Sequence, residues 1–140
     1  MAVLTVLVVS GCAVGAQGPP ADNSADVCAR WVASTKPFTS RGADAAPEAR
    51  AYQKAMADAY AGKEMPSAKA IKIQRAYWSA QEKAPRALAA TATSPQLRTA
   101  LTEYADELAG RGTDIVPEFV GTDSPVLEQL TTMCKPQSQR

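Results

Sequence analysis

An all-α fold, a small bundle of four to five helices stapled by one disulfide, is what three features of this sequence predict. Alanine, the strongest helix former, supplies 28 of the 140 residues. Glycine and β-branched residues are sparse after residue 24, and nothing carries a strand's alternating signal. Two of the three cysteines, Cys28 and Cys134, stand near opposite ends of the helical region, where one bond between them would close the bundle.

Each helix has its own start and stop. Ser24 is an N-cap for a first helix that runs to about Thr35 and that Pro37 ends; its apolar side is Val27, Cys28, Trp31 and Val32. A polar loop from Pro37 to Asp44 follows. The second helix spans about Ala45 to Ala61, with Pro47 in its first turn, Gly62 as its stop, and Tyr52, Met56 and Ala59 as its stripe. The third begins near Ser67, after Pro66. Ala70, Ile73, Tyr77, Ala80 and Ala84 follow helical spacing there, and Ile71 and Trp78 lie on a flanking line.

Pro85 predicts a kink or a break, with a short continuation through Leu88. Ser94-Pro95 opens the fourth helix, whose stripe is Leu97, Leu101, Tyr104 and Leu108 and which Gly110 and Gly112 end. Ile115, Val116, Phe119 and Val120 pack as a turn or short helix. Ser124-Pro125 starts the last helix, with Val126, Leu127, Leu130, Met133 and Cys134 on its apolar side. Both cysteines share faces with core residues, as a bridge between first and last helices requires.

The segment before the bundle reads differently. From Met1 to Gly11 the chain is apolar and uncharged, too short for the roughly 20 residues of a membrane span but right for the apolar stretch of an export signal. It ends in Val9-Ser10-Gly11-Cys12, which resembles the lipobox of bacterial lipoproteins. That resemblance implies a diacylglyceryl group on the Cys12 sulfur, Cys12 as the first residue of the mature protein, and residence on the outer face of a bacterial membrane. Export signals open on basic residues, and none precedes Cys12, so the reading places the true start upstream. The Ala-rich, Lys-poor style further resembles small lipoproteins of actinobacteria or of their phages.

The expected organisation is therefore an export signal over 1–11, a lipidated cysteine and flexible spacer over 12–23, a helical domain over 24–135 and a frayed tail over 136–140. The Pro19-Pro20 spacer, extended at about 3.1 Å per residue, lifts the domain clear of the headgroups. In an oxidising compartment the remaining Cys28 and Cys134 read as a disulfide. A bridged loop of about 107 residues stabilises by roughly 4.7 kcal/mol on the chain-entropy view.

Composition narrows the chemistry. There is no histidine, which removes the commonest general base and metal ligand together. Serine chemistry would then need a lysine base, but Ser67 and Lys69 are only two apart. Glu103, Asp106 and Glu107 lie opposite the leucine stripe of their helix and are expected to be exposed. No enzyme, metal or cofactor is expected. A net charge of +1 gives no general drive toward nucleic acid.

Charge is nonetheless uneven, at +5 from Lys63 to Arg98 and −6 from Glu103 to Glu128. Lys72, Arg75, Lys83 and Arg86 fall on one helical side. Of the neighbours Tyr77 and Trp78 one should lie near the surface or in a groove, so Trp78 is either an anchor for a partner or lipid or, more plainly, packed under a loop. The cations, with Trp78 in the first case, form a candidate docking face for an envelope protein, anionic polymer or lipid headgroups. The plainer alternative is that the basic third and acidic fourth helices steady each other across the bundle. The functional expectation is a surface-exposed lipoprotein that binds a protein partner or envelope component. The alternative is a carrier or sensor of a small apolar ligand, held in an inter-helix cavity lined by Ala70, Ile73, Tyr104 and Leu108.

Overall fold

Helix-forming alanines and well-placed prolines divide the chain into five helices in the computed structural model, which describes residues 21–113 and 124–135. These are α1 (Ser24–Thr39), α2 (Pro47–Tyr60), α3 (Ser67–Thr91), α4 (Pro95–Thr113) and α5 (Pro125–Met133), with one 3₁₀ turn at Gly42–Asp44. No strand occurs among the described residues, and no helix among them is long and apolar enough to cross a membrane. Cys12, the apolar leader, the spacer through Pro20, the turn expected at Ile115–Val120 and the tail lie outside the described residues.

Two expected stops do not stop their helices. Pro37 sits inside α1, which continues to Thr39. Pro85 sits inside α3, which runs unbroken to Thr91. A proline forfeits one backbone hydrogen bond and crowds the preceding turn, but the Pro85 ring is buried beside Leu88 and Ala89, so packing offsets the loss. Gly110 and Gly112 likewise lie within α4 rather than after it.

At the start of α1 the cap position belongs to Asn23, not Ser24. The Asp22 carboxylate accepts from the Ser24 amide and hydroxyl, at 2.9 and 2.6 Å. Asn23, assigned by sequence to the spacer, is bonded to the turn between α3 and α4. It accepts from the Thr93 amide at 2.9 Å and donates to the Thr91 carbonyl at 2.8 Å.

The remaining boundaries follow their signals. The Lys63 amide reaches the Asp58 carbonyl and the Gly62 amide reaches Ala59, the double bond of a Schellman ending. It needs the left-handed backbone that Gly62 adopts at φ +71°. The Ser94 and Ser124 hydroxyls each accept from the amide three residues on, opening α4 and α5.

The core is the seam between the C-terminal half of α3 and the N-terminal half of α4, closed by α1 and α5. Val27, Leu88, Leu97, Leu101 and Leu130 are all at most 4% exposed. Cys28 and Cys134 pack against this cluster and form a disulfide with their Cα atoms 5.1 Å apart, joining α1 to α5. Val32, expected inside, is instead 43% exposed; Val27 and Trp31, four residues apart, are the side of α1 that faces inward.

Candidate functional site

Away from the disulfide the bundle changes character. Trp31, at 5% exposure, meets Tyr104 edge to face with ring centres 6.4 Å apart. Tyr52 of α2 stacks in parallel on Tyr77 of α3 at 4.1 Å, and Phe38 meets the same Tyr77 edge-on at 6.0 Å. Trp78 touches Tyr52 and Tyr77, and the Arg111 guanidinium lies 5.2 Å above its ring. Neighbours in sequence, Tyr77 and Trp78 diverge by about 100° around the helix, yet both are half-buried, because α2 covers one and α4 the other. α4 passes Trp78 at Gly112, where an added Cβ would stand 3.6 Å from the Trp78 Cβ, an ordinary contact, so the approach does not depend on glycine.

Between these rings lies a cleft of about 340 Å³, walled by Trp31, Tyr77, Trp78, Tyr104, Leu108 and Leu127, with Thr35, Thr39, Gln81, Arg111, Ser124 and Thr131 at its polar positions. The Nε1 atoms of Trp31 and Trp78 are buried without a hydrogen-bond partner. Buried donors are nearly always paired, and leaving one unpaired costs about 1–3 kcal/mol. A second void touching Trp31, Gln81 and Pro85 holds only about 10 Å³, room for no more than about one water. A wider groove of about 490 Å³ along α5 is more open and is bordered by exposed Glu128, Thr131, Thr132 and Lys135.

Electrostatics in the cleft are balanced. Arg111 Nη2 donates to Glu107 Oε1 at 2.6 Å, and the Ser124 hydroxyl donates to Glu107 Oε2 at 2.5 Å. Glu107 is thus a half-buried junction between α4 and the start of α5, not the plain exposed carboxylate its position on the stripe suggested. Burial pushes the phenols of Tyr52, Tyr77 and Tyr104 above the ordinary 10.0; the Gln81 amide opposes this at Tyr77, and Arg111 opposes it at Tyr52 and Tyr104. Among the described residues no group of three or more His, Cys, Asp or Glu could hold a metal ion.

The residues singled out from sequence fall in different places. Lys72, Arg75 and Lys83 are exposed on α3. Arg86, on the same side, pairs with Glu82 at 3.1 Å and crosses to Asp106 of α4 at 3.0 Å, which raises its guanidinium's affinity for its proton. Trp78 belongs to the aromatic cluster rather than to that stripe. Tyr104 and Leu108 do line the cleft, whereas Ala70 and Ile73 do not.

Trp31, Tyr77, Gln81 and Arg111 were not foreseen as cleft residues. One signal pointed to Arg111: it is the single cation in the acidic run from Glu103 to Glu128. Compared with known protein families, curated proteins and solved structures, the chain matches none.

Proposed function

We propose that this chain is a non-enzymatic binding protein, anchored to the outer face of a bacterial membrane by lipid on Cys12, whose helical domain takes up a small apolar ligand between its helices. The observation that carries the ligand reading is the cleft beside Trp31 and Trp78. Its volume of about 340 Å³ falls in the range of about 300–1,000 Å³ usual for small-molecule sites, and its walls are mainly aromatic and aliphatic. The Val9-Ser10-Gly11-Cys12 motif supports the anchor, and the Cys28–Cys134 bond suits an oxidising compartment.

Two measurements test this. Intact mass of protein extracted from membranes should give a chain that begins at Cys12 and carries diacylglyceryl; a mature chain beginning at Ala13 or later overturns the anchor. The apolar fluorophore N-phenyl-1-naphthylamine should gain emission saturably on titration with the protein. Thr35→Phe, which places a ring in the cleft, should weaken that binding several-fold; uptake that does not saturate overturns the ligand reading.

A second surface retains support from one observation. Lys72, Arg75 and Lys83 are exposed and enter none of the ion pairs among the described residues. Near anionic headgroups or wall polymers each would contribute about 1 kcal/mol. Arg86 adds less, because Glu82 and Asp106 already neutralise it.

A further inference from the structure

The two sides of α3 differ in kind. Successive helical residues turn by about 100°, which puts Lys69, Lys72, Arg75 and Lys83 within about 60° of one line along the helix. Tyr77, Trp78 and Gln81, which line the cleft, fall on the far side of the same helix. All four cations are exposed, and the exposed positions among them, Ala76 and Ser79, are small. At 1.5 Å per residue the row from Lys69 to Lys83 is about 21 Å long.

Their charge is not neutralised inside the fold. α3 carries no acidic residue from Ser67 to Gln81. The acids that do pair with α3, Glu82 within it and Asp106 of α4, both go to Arg86. No ion pair among the described residues engages Lys69, Lys72, Arg75 or Lys83. Steadying of the basic third helix by the acidic fourth is therefore confined to Arg86.

The root of the tether lies at one end of this row. The Asn23 amide donates to the Thr91 carbonyl at 2.8 Å, and the Thr93 hydroxyl donates to the Ala21 carbonyl at 3.3 Å. The chain thus enters the domain beside the C-terminal end of α3. Ala21 is nine residues after Cys12, a stretch that reaches about 30 Å when extended. From Thr91 to Lys72 is about 28 Å along the helix axis. A spacer able to lift the domain off a surface is also long enough to let α3 lie along it.

Resting on the lipid-anchor reading above, we infer that the row of Lys69, Lys72, Arg75 and Lys83 docks on anionic phospholipid headgroups, so that α3 lies along the bilayer and the cleft opens away from it. Separated cations with no enclosing pocket fit an extended anionic surface rather than a single bound anion. The bilayer is the extended surface that the anchor holds within reach, where a tethered contact forms at high effective concentration.

The test uses the full chain with Cys12→Ser, which keeps the Cys28–Cys134 bond and accepts no lipid. Docking and anchoring can then fail separately, since intact mass of the native chain tests the anchor. Vesicles of phosphatidylcholine alone are compared with an equal mixture of phosphatidylcholine and phosphatidylglycerol. Any apolar affinity of the leader is common to both, so the ratio reads charge. The mixed vesicles should be favoured by at least about a hundredfold at low salt, and added salt should shrink that preference. Lys72→Gln, Arg75→Gln and Lys83→Gln together should reduce it to about fivefold, with helical circular dichroism retained. Lys36→Gln, Arg41→Gln and Lys135→Gln remove the same charge from exposed positions elsewhere and should leave the preference within about twofold. Both tryptophans line the cleft, so brominated acyl chains should leave the emission of the bound protein unquenched.

Equal binding to the two vesicles, or equal losses from the two triple variants, overturns the docking face. Quenching by the brominated chains overturns the outward orientation of the cleft. Binding to soluble polyphosphate with none to the mixed vesicles assigns the face to a polymer and overturns the membrane as its partner.

Discussion

Near the disulfide, α1, α3, α4 and α5 meet through Val27, Leu88, Leu97, Leu101 and Leu130, side chains with no polar atom to satisfy. Farther along the same helices, toward α2, their places are taken by Trp31, Tyr77, Trp78 and Tyr104, which bring donors and leave a cleft. The two regions share three helices, so helix propensity and capping do not separate them. The difference lies in the side chains: aliphatic groups interdigitate to interior density, whereas large rigid rings carrying single polar atoms fill space less completely. One region supplies stability, and the other carries the features of a binding site.

The sharpest way to break that contrast is to cut the staple. Replacing Cys28 and Cys134 together with Ser should cost about 2–5 kcal/mol in reversible denaturant unfolding, since the bond spans a sequence separation of 106. Next in size, Leu101→Ala, at a site with 0% exposure, should cost about 2–5 kcal/mol on the same assay. Trp78→Phe should cost about 1 kcal/mol or less, because the lost ring area adjoins open space and an unpaired buried donor goes with it. Equal losses from Leu101→Ala and Trp78→Phe would erase the distinction between the regions.

The last prediction acts on the aromatic region alone. Tyr52, Tyr77 and Tyr104 keep their protons to higher pH folded than unfolded. Their neutral forms therefore contribute stability that is complete below the ordinary 10.0 and is lost as pH climbs through the folded values above it. Stability at 25 °C should fall above pH 10 together with the appearance of tyrosinate absorbance. Tyr77→Phe should move that decline upward in pH, whereas Leu101→Ala should lower stability at every pH without moving it.

How much of this could be read from the chain depends on which forces act locally. The helical period of Leu97, Leu101, Tyr104 and Leu108 placed α4's buried face correctly, because each residue in it is buried. Ser94-Pro95 and Ser124-Pro125 located two helix starts, since a cap is settled within a few residues. Pro37 and Pro85 misled because their local penalty is outweighed by packing that arrives from elsewhere, as at the buried Pro85 ring.

The pairing of Cys28 with Cys134 was legible from count and compartment. The cleft was not: it depends on rings from α1, α3 and α4 converging, and sequence spacing on a single helix does not contain that. Adjacent Tyr77 and Trp78 did signal that one of them would lie in a groove or near the surface, and both prove half-buried at the cleft.

The covalent tie between α1 and α5 has a practical corollary for how the domain responds to proteolysis. Nearly all of the folded chain lies inside the ring it closes, between residues 28 and 134. A single peptide bond cut anywhere within that ring releases no fragment; the two pieces remain one molecule until a reductant arrives.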